Sequence, residues 1–155
     1  MLWAGLFAKA GRSMSEFDPR GRIAYWLALA REDLEAARAL SADARISSRI
    51  IANLAQQAVE KALKAGIAAG ITSAGVDPPR THDLERLGRL QSAFELPVSN
   101  DDLLQLMDAH AQGRYPEDPE LSYSPEETVA LLDIASAVVV AATAALGEQP
   151  FDPGM

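Results

Sequence analysis

Residues Ala52 to Gly66 read "ANLAQQAVEKALKAG". Two adjacent glutamines, a glutamate and two lysines interrupt a run otherwise made almost wholly of small and aliphatic residues. At about 100° per residue, Gln56, Glu60, Lys64, Gln57 and Lys61 fall in one sector about 140° wide, with Ala55, Val59, Ala62 and Leu63 on the other side. Periodicity alone therefore gives an amphipathic helix with a wet polar side. Glu60 and Lys64 stand four apart in the favourable order, contributing roughly 0.2–0.5 kcal/mol as an exposed pair. The glutamines fit a wet face less well. An amide that both donates and accepts suits a partly buried position where backbone groups at helix ends need partners. The stripe is thus also a candidate for polar contacts inside a bundle or across a dimer.

Four more helical segments flank this one. A first helix is predicted from about Arg22 to Leu40, with Ile23, Trp26, Leu27, Ala30, Leu34 and Ala37 at helical spacing. The glutamine helix runs from about Ile46 to Ile71 and stops at glycines and "DPP", Asp77 to Pro79. Thr81 offers the cap of a short third helix carrying Leu84, Leu87 and Leu90, with Asp83 and Glu85 at its positive end. Ser99 or Asn100 can cap a fourth, through Leu103, Leu106 and Met107 to an end at Gly113. In the fifth, Ser124, Pro125 and Glu127 form a capping box before a run to about Leu146. No alternating strand pattern of useful length appears, so the fold class is an all-α bundle.

The fifth helix, "VALLDIASAVVVAATAAL", is apolar almost all round. Asp133 would cost about 2.5–3.5 kcal/mol near the centre of a membrane span, and alanine offers little to offset it. A core helix, or one shared with a second subunit, has the same appearance, and that reading is preferred to a membrane span.

The chain has 155 residues, enough for one domain with a hydrophobic core. It has no cysteine, which removes disulfides, thiolate zinc sites and a cysteine nucleophile. A net charge of −8 argues against non-specific DNA binding. The charge is uneven. From Arg45 to Arg89 there are seven basic and four acidic residues, whereas from Glu95 onward twelve acidic residues face Arg114 alone. An anion site should draw on the middle of the chain and Arg114. In the first fourteen residues, "AKA" imitates a signal-peptidase site, but the apolar run is short and no basic region precedes it. Residues 1–20 read as a flexible extension with Met14 as the start, 21–147 as the domain and 148–155 as a flexible tail. A cytoplasmic location is expected.

"LAQQAVEKALKAG", then "RTHDLERL", then "GRYPEDPE" before a last long helix, resemble the HEPN domain family over roughly Tyr25 to Leu146. The resemblance implies a five-helix, up-and-down bundle, a homodimer, frequent association with a nucleotidyltransferase partner in toxin–antitoxin-like systems, and nucleotide or RNA binding. The family's ribonucleases carry an arginine, four to six intervening residues, then a histidine. Here the positions after Arg114 hold Pro119, Glu120 and Leu121. The arginine for His82 would fall at Gly75, Val76 or Asp77, and that for His110 at Leu103, Leu104 or Gln105. The pair is missing, so an HEPN ribonuclease toxin with a non-standard active site is the alternative to a non-catalytic binding and partner-docking module.

Other chemistry finds little support. A carboxylate-bridged metal bundle wants Glu-x-x-His, but Pro79 and Met107 stand three residues before the histidines. No resident metal or cofactor is expected, and no catalytic residue is assigned. Lys61, Lys64, Arg80, Arg114 and Tyr115 are the candidate ligand or anion contacts, with Arg114 on phosphate and Tyr115 stacking on a base. Plain solvation for the lysines, and pairing of Arg114 with Glu117 or Glu60, are the competing readings. Gln56, Gln57, Glu60, His82 and Asp83 form the structural polar stripe and its neighbours. His82 reads as a structural hydrogen-bonding residue and His110 as an ordinary helix-surface histidine.

Overall fold

The computed structural model describes residues 19–71, 73, 75–114 and 122–147, the side chains of residues 19 and 112–114 excepted. Five helices follow one another: α1 (Pro19–Ser41), α2 (Ser48–Ala69), α3 (Leu84–Leu90), α4 (Asn100–Arg114) and α5 (Pro125–Leu146). No strand occurs among the described residues, and the chain is an all-α bundle as the sequence predicts. The tail expected over 148–155, and all of the extension but residues 19 and 20, lie outside the described residues. Those two residues already belong to α1.

Short polar side chains start the helices. Ser47 Oγ accepts from Arg49 N at 3.3 Å, and Ser124 Oγ accepts from Glu127 N at 3.1 Å ahead of Pro125. Ser99 and Asp102 cap α4 reciprocally: Asp102 N donates to Ser99 Oγ at 3.1 Å and Ser99 N to Asp102 Oδ2 at 3.0 Å. The start of α3 differs from expectation. Asp83, not Thr81, is its cap, accepting from Arg86 N at 3.1 Å, while Thr81 Oγ1 accepts from Asp83 N. The carboxylate is the stronger acceptor and carries charge to the positive helix end. Helix α4 also continues one residue past Gly113.

Helix α2 is the axis of the bundle and packs against each of the other four. Only Ile50 and Ala69, near its two ends, are exposed. Ala52, Ala55, Ala58, Ala62 and Ala65 are buried along it, and such small side chains let neighbouring helices approach closely. Leu63, Leu84, Leu87, Leu106, Val59 and Val138 fill the gaps between helices and are wholly buried. Gly66 is where the segment after α3 comes closest. A Cβ there would lie 2.8 Å from Gln91 Oε1 and 3.0 Å from Phe94 Cε1. Gln91 in turn holds the turn after α3, bonding Ala93 N, Phe94 N and Phe94 O.

Helix α5 is long and apolar enough to cross a membrane, and 39% of its most apolar 18-residue stretch is buried against the bundle. Leu131, Ala135, Val138 and Ala142 face the core, while Val129, Asp133 and Val140 are exposed. Arg38 on α1 bonds Ser136 on α5. Beside that contact, two adjoining clefts of about 470 and 410 Å³ separate α1 from α5, with Arg31 lining both.

Candidate functional site

The polar side of α2 meets protein rather than water. Gln56, Glu60 and Lys64 are buried, and Gln57 and Lys61 are half-buried. This corrects the wet face that periodicity suggests. A wheel shows which residues share a side, not what covers it, and α1, α3 and α4 all pack on α2.

The buried charges are accounted for by neighbours. Glu60 Oε1 lies 2.5 Å from His82 Nδ1, and its other oxygen is 3.7 Å from Lys64 Nζ. The expected exposed Glu60–Lys64 pair is thus a buried one, each side chain no more than 10% accessible. Lys64 Nζ also sits 5.4 Å from the centre of the Trp26 ring on α1, where the ring face favours a cation. Lys61 reaches α1 as well and pairs with Asp33, both side chains largely covered. Glu60 with Lys64, and Lys61 with Asp33, balance charge locally. Neither lysine is left over, so an anion would compete with a carboxylate already in place.

The histidines are brought together. His82, just before α3, bonds Glu60 and keeps 62% of its side chain accessible. His110 on α4 is half-buried, its Nδ1 2.5 Å from Asn53 Oδ1. The two rings stand 5.6 Å apart, inclined by 39°. His110 is therefore not the ordinary surface residue its sequence context suggests. Between the residues that hold the two rings, Gln56 is wholly buried, and neither atom of its amide has a hydrogen-bond partner among the described residues. Gln56 therefore serves no helix-end backbone group among the described residues.

Arg80 is exposed two residues before His82, and Asp83 is occupied as the α3 cap. Arg114 lies one helical turn beyond His110 in α4. Its side chain, Tyr115 and Glu117 lie outside the described residues, so their assigned contacts do too. Asn53 and Asp33 join the cluster without having been singled out, and Trp26 and His110, read as an apolar helix position and an ordinary surface histidine, join it too. Asn53 falls within the same sector of the wheel as the stripe, so periodicity could have found it. The others come from different helices and leave no local signal.

The cluster contains satisfied ion pairs, an exposed imidazole and an exposed arginine, with no serine or cysteine nucleophile among its members. The arrangement can hold or move a proton at two imidazoles and can present a cationic edge. The model of the HEPN domain family matches residues 23–144. No curated protein and no solved structure matches the chain.

Proposed function

The chain belongs to the HEPN family, and on that premise we propose that it is a non-catalytic binding module. In this reading it is a cytoplasmic homodimer that recognises a nucleotide or RNA end and docks a nucleotidyltransferase in a toxin–antitoxin-like pair. The observation that carries the binding role is the cluster itself. Charges buried on α2 are spent on one another, which fixes a scaffold, while His82 and Arg80 remain accessible at its edge. The groove between α1 and α5, with exposed Val140 beside Arg31, supports a protein contact on the opposite requirement, an apolar floor with a charged rim.

Calorimetric titration with ATP, GTP and a short single-stranded RNA tests the binding role. Arg80→Ala/Arg114→Ala is the variant of choice because it leaves the Lys61–Asp33 pair intact. Micromolar binding, weakened at least tenfold in the variant, is expected. Absence of binding to all three ligands overturns the nucleotide reading.

The second reading, a ribonuclease toxin with a non-standard site, is favoured by the approach of His82 to His110. Imidazoles are suited to proton transfer at an RNA 2′-hydroxyl. RNA cleavage in the absence of metal should be at background, and equal in wild type, His82→Ala and Arg114→Ala. Cleavage by wild type that either substitution abolishes would transfer the function from binding to catalysis.

A further inference from the structure

Helices α1 and α5 run antiparallel. Arg38 bonds Ser136, Arg31 and Leu34 line one cleft with Val140 and Thr143, and Ile23 and Leu27 line the other with Leu146 and Gly147. Helix α5 stops at Leu146, where the backbone of Gly147 is extended, but α1 continues along the cleft to Arg20. That mismatch leaves the larger cleft, about 470 Å³. Ile23, Leu27 and Leu146 form its apolar floor, and exposed Arg20 and Arg31 stand at its rim. Neither arginine has an ion pair among the described residues. An apolar floor between two unpaired cations is complementary to an apolar group flanked by acids.

We propose that residues 148–152 of this chain, "EQPFD", occupy the cleft in cis, with Phe151 on its floor and the carboxylates of Glu148 and Asp152 against Arg31 and Arg20. The segment lies outside the described residues, but Gly147, which precedes it, already lines the cleft. Glu148 and Asp152 are separated by about 13 Å in extended chain, and Arg20 and Arg31 by about 16 Å along a helix, a difference that two long side chains span. Phe151 is the single aromatic residue of 148–155, and Glu148 and Asp152 are its only charged side chains. Pro150 fixes its own φ and bars a continued helix, which lowers the cost of ordering the segment. A short tether of this kind supplies an effective concentration in the millimolar range, so modest contacts suffice. Other occupants fit less well. In residues 1–18, Glu16 and Asp18 are offset by Lys9 and Arg12, and a second copy packed symmetrically on this cleft would set the same arginines against each other. Arg31 lines both adjoining clefts, so, on the reading proposed above for the groove, the segment competes there with the protein partner.

Nuclear Overhauser contacts in the isotope-labelled full chain test the docking without any partner. Contacts from the Phe151 ring to the methyl groups of Ile23 and Leu27 are expected. Arg20→Glu/Arg31→Glu should weaken them at least fivefold, and adding Glu148→Lys/Asp152→Lys should restore them. Absence of the Phe151 contacts, contacts from Trp3 or Phe7 in their place, contacts seen only between differently labelled chains, or indifference to charge reversal would each overturn the proposal. The first measurement uses the wild-type chain, so a folding defect in a variant does not blunt the test.

Discussion

Glu60→Leu is expected to destabilise the folded chain by about 3 kcal/mol, the scale on which a buried ion responds to loss of its partner. The substitution removes the anion from Lys64, whose side chain is only 10% accessible, and from His82 at the same time. Trp26 still faces the ammonium, but a ring contact of this kind contributes about 0.5–2 kcal/mol and does not replace a carboxylate. Glu60→Leu/Lys64→Met should recover most of the loss, because apolar side chains of similar volume remove both buried charges together. Urea unfolding of the three proteins measures this directly. A Glu60→Leu variant within 1 kcal/mol of wild type, on the order of an exposed pair, would mean that the cluster is wet and that Lys64 relaxes into solvent.

Gly66→Val should be the most damaging of the small substitutions on α2. In an unconstrained helix, replacing glycine with alanine gains about 1 kcal/mol. Here the first added carbon already lies 2.8 Å from Gln91 Oε1 and 3.0 Å from Phe94, and valine adds two methyl groups. Overpacking of this kind costs about 1–3 kcal/mol, and displacing Gln91 also breaks its bonds to Ala93 and Phe94. A net loss of about 2–3 kcal/mol is expected for valine, and a smaller one for alanine. Coupling to Gln91→Ala identifies the cause. In that background Gly66→Ala should become neutral or stabilising, since the obstructing amide is gone. Equal destabilisation in both backgrounds would place the conflict instead at the Phe94 ring or at the Cβ of residue 91, which alanine retains 3.1 Å away.

Much of the fold is legible in the residues because its signals are local. Ser124, Pro125 and Glu127 announce α5 within four positions, and the apolar spacing from Ile23 to Ala37 outlines α1. Errors arise where two local signals compete. Thr81 and Asp83 are both good caps, and the choice falls to the one whose carboxylate reaches Arg86 N. The site is less legible for a different reason. The stripe from Gln56 to Lys64 can be placed on one side of a helix from its spacing, but whether that side is wet depends on α1, α3 and α4. His82 meets His110 because two helices cross α2 next to each other, and no short-range pattern encodes that meeting. The donor and acceptor capacity of paired glutamines, not their periodicity, was the one local sign that the stripe belongs inside the bundle.

The central position of α2 bears on how such a chain can vary. A helix in contact with every other helix, exposed only at Ile50 and Ala69, has almost no position where a substitution is indifferent. Surface changes elsewhere alter stability by about 0.5 kcal/mol or less, so drift should accumulate on the outer faces of α1, α4 and α5 long before it reaches α2. Recognisability is then a by-product of crowding: the segment that identifies the fold is the segment least able to change.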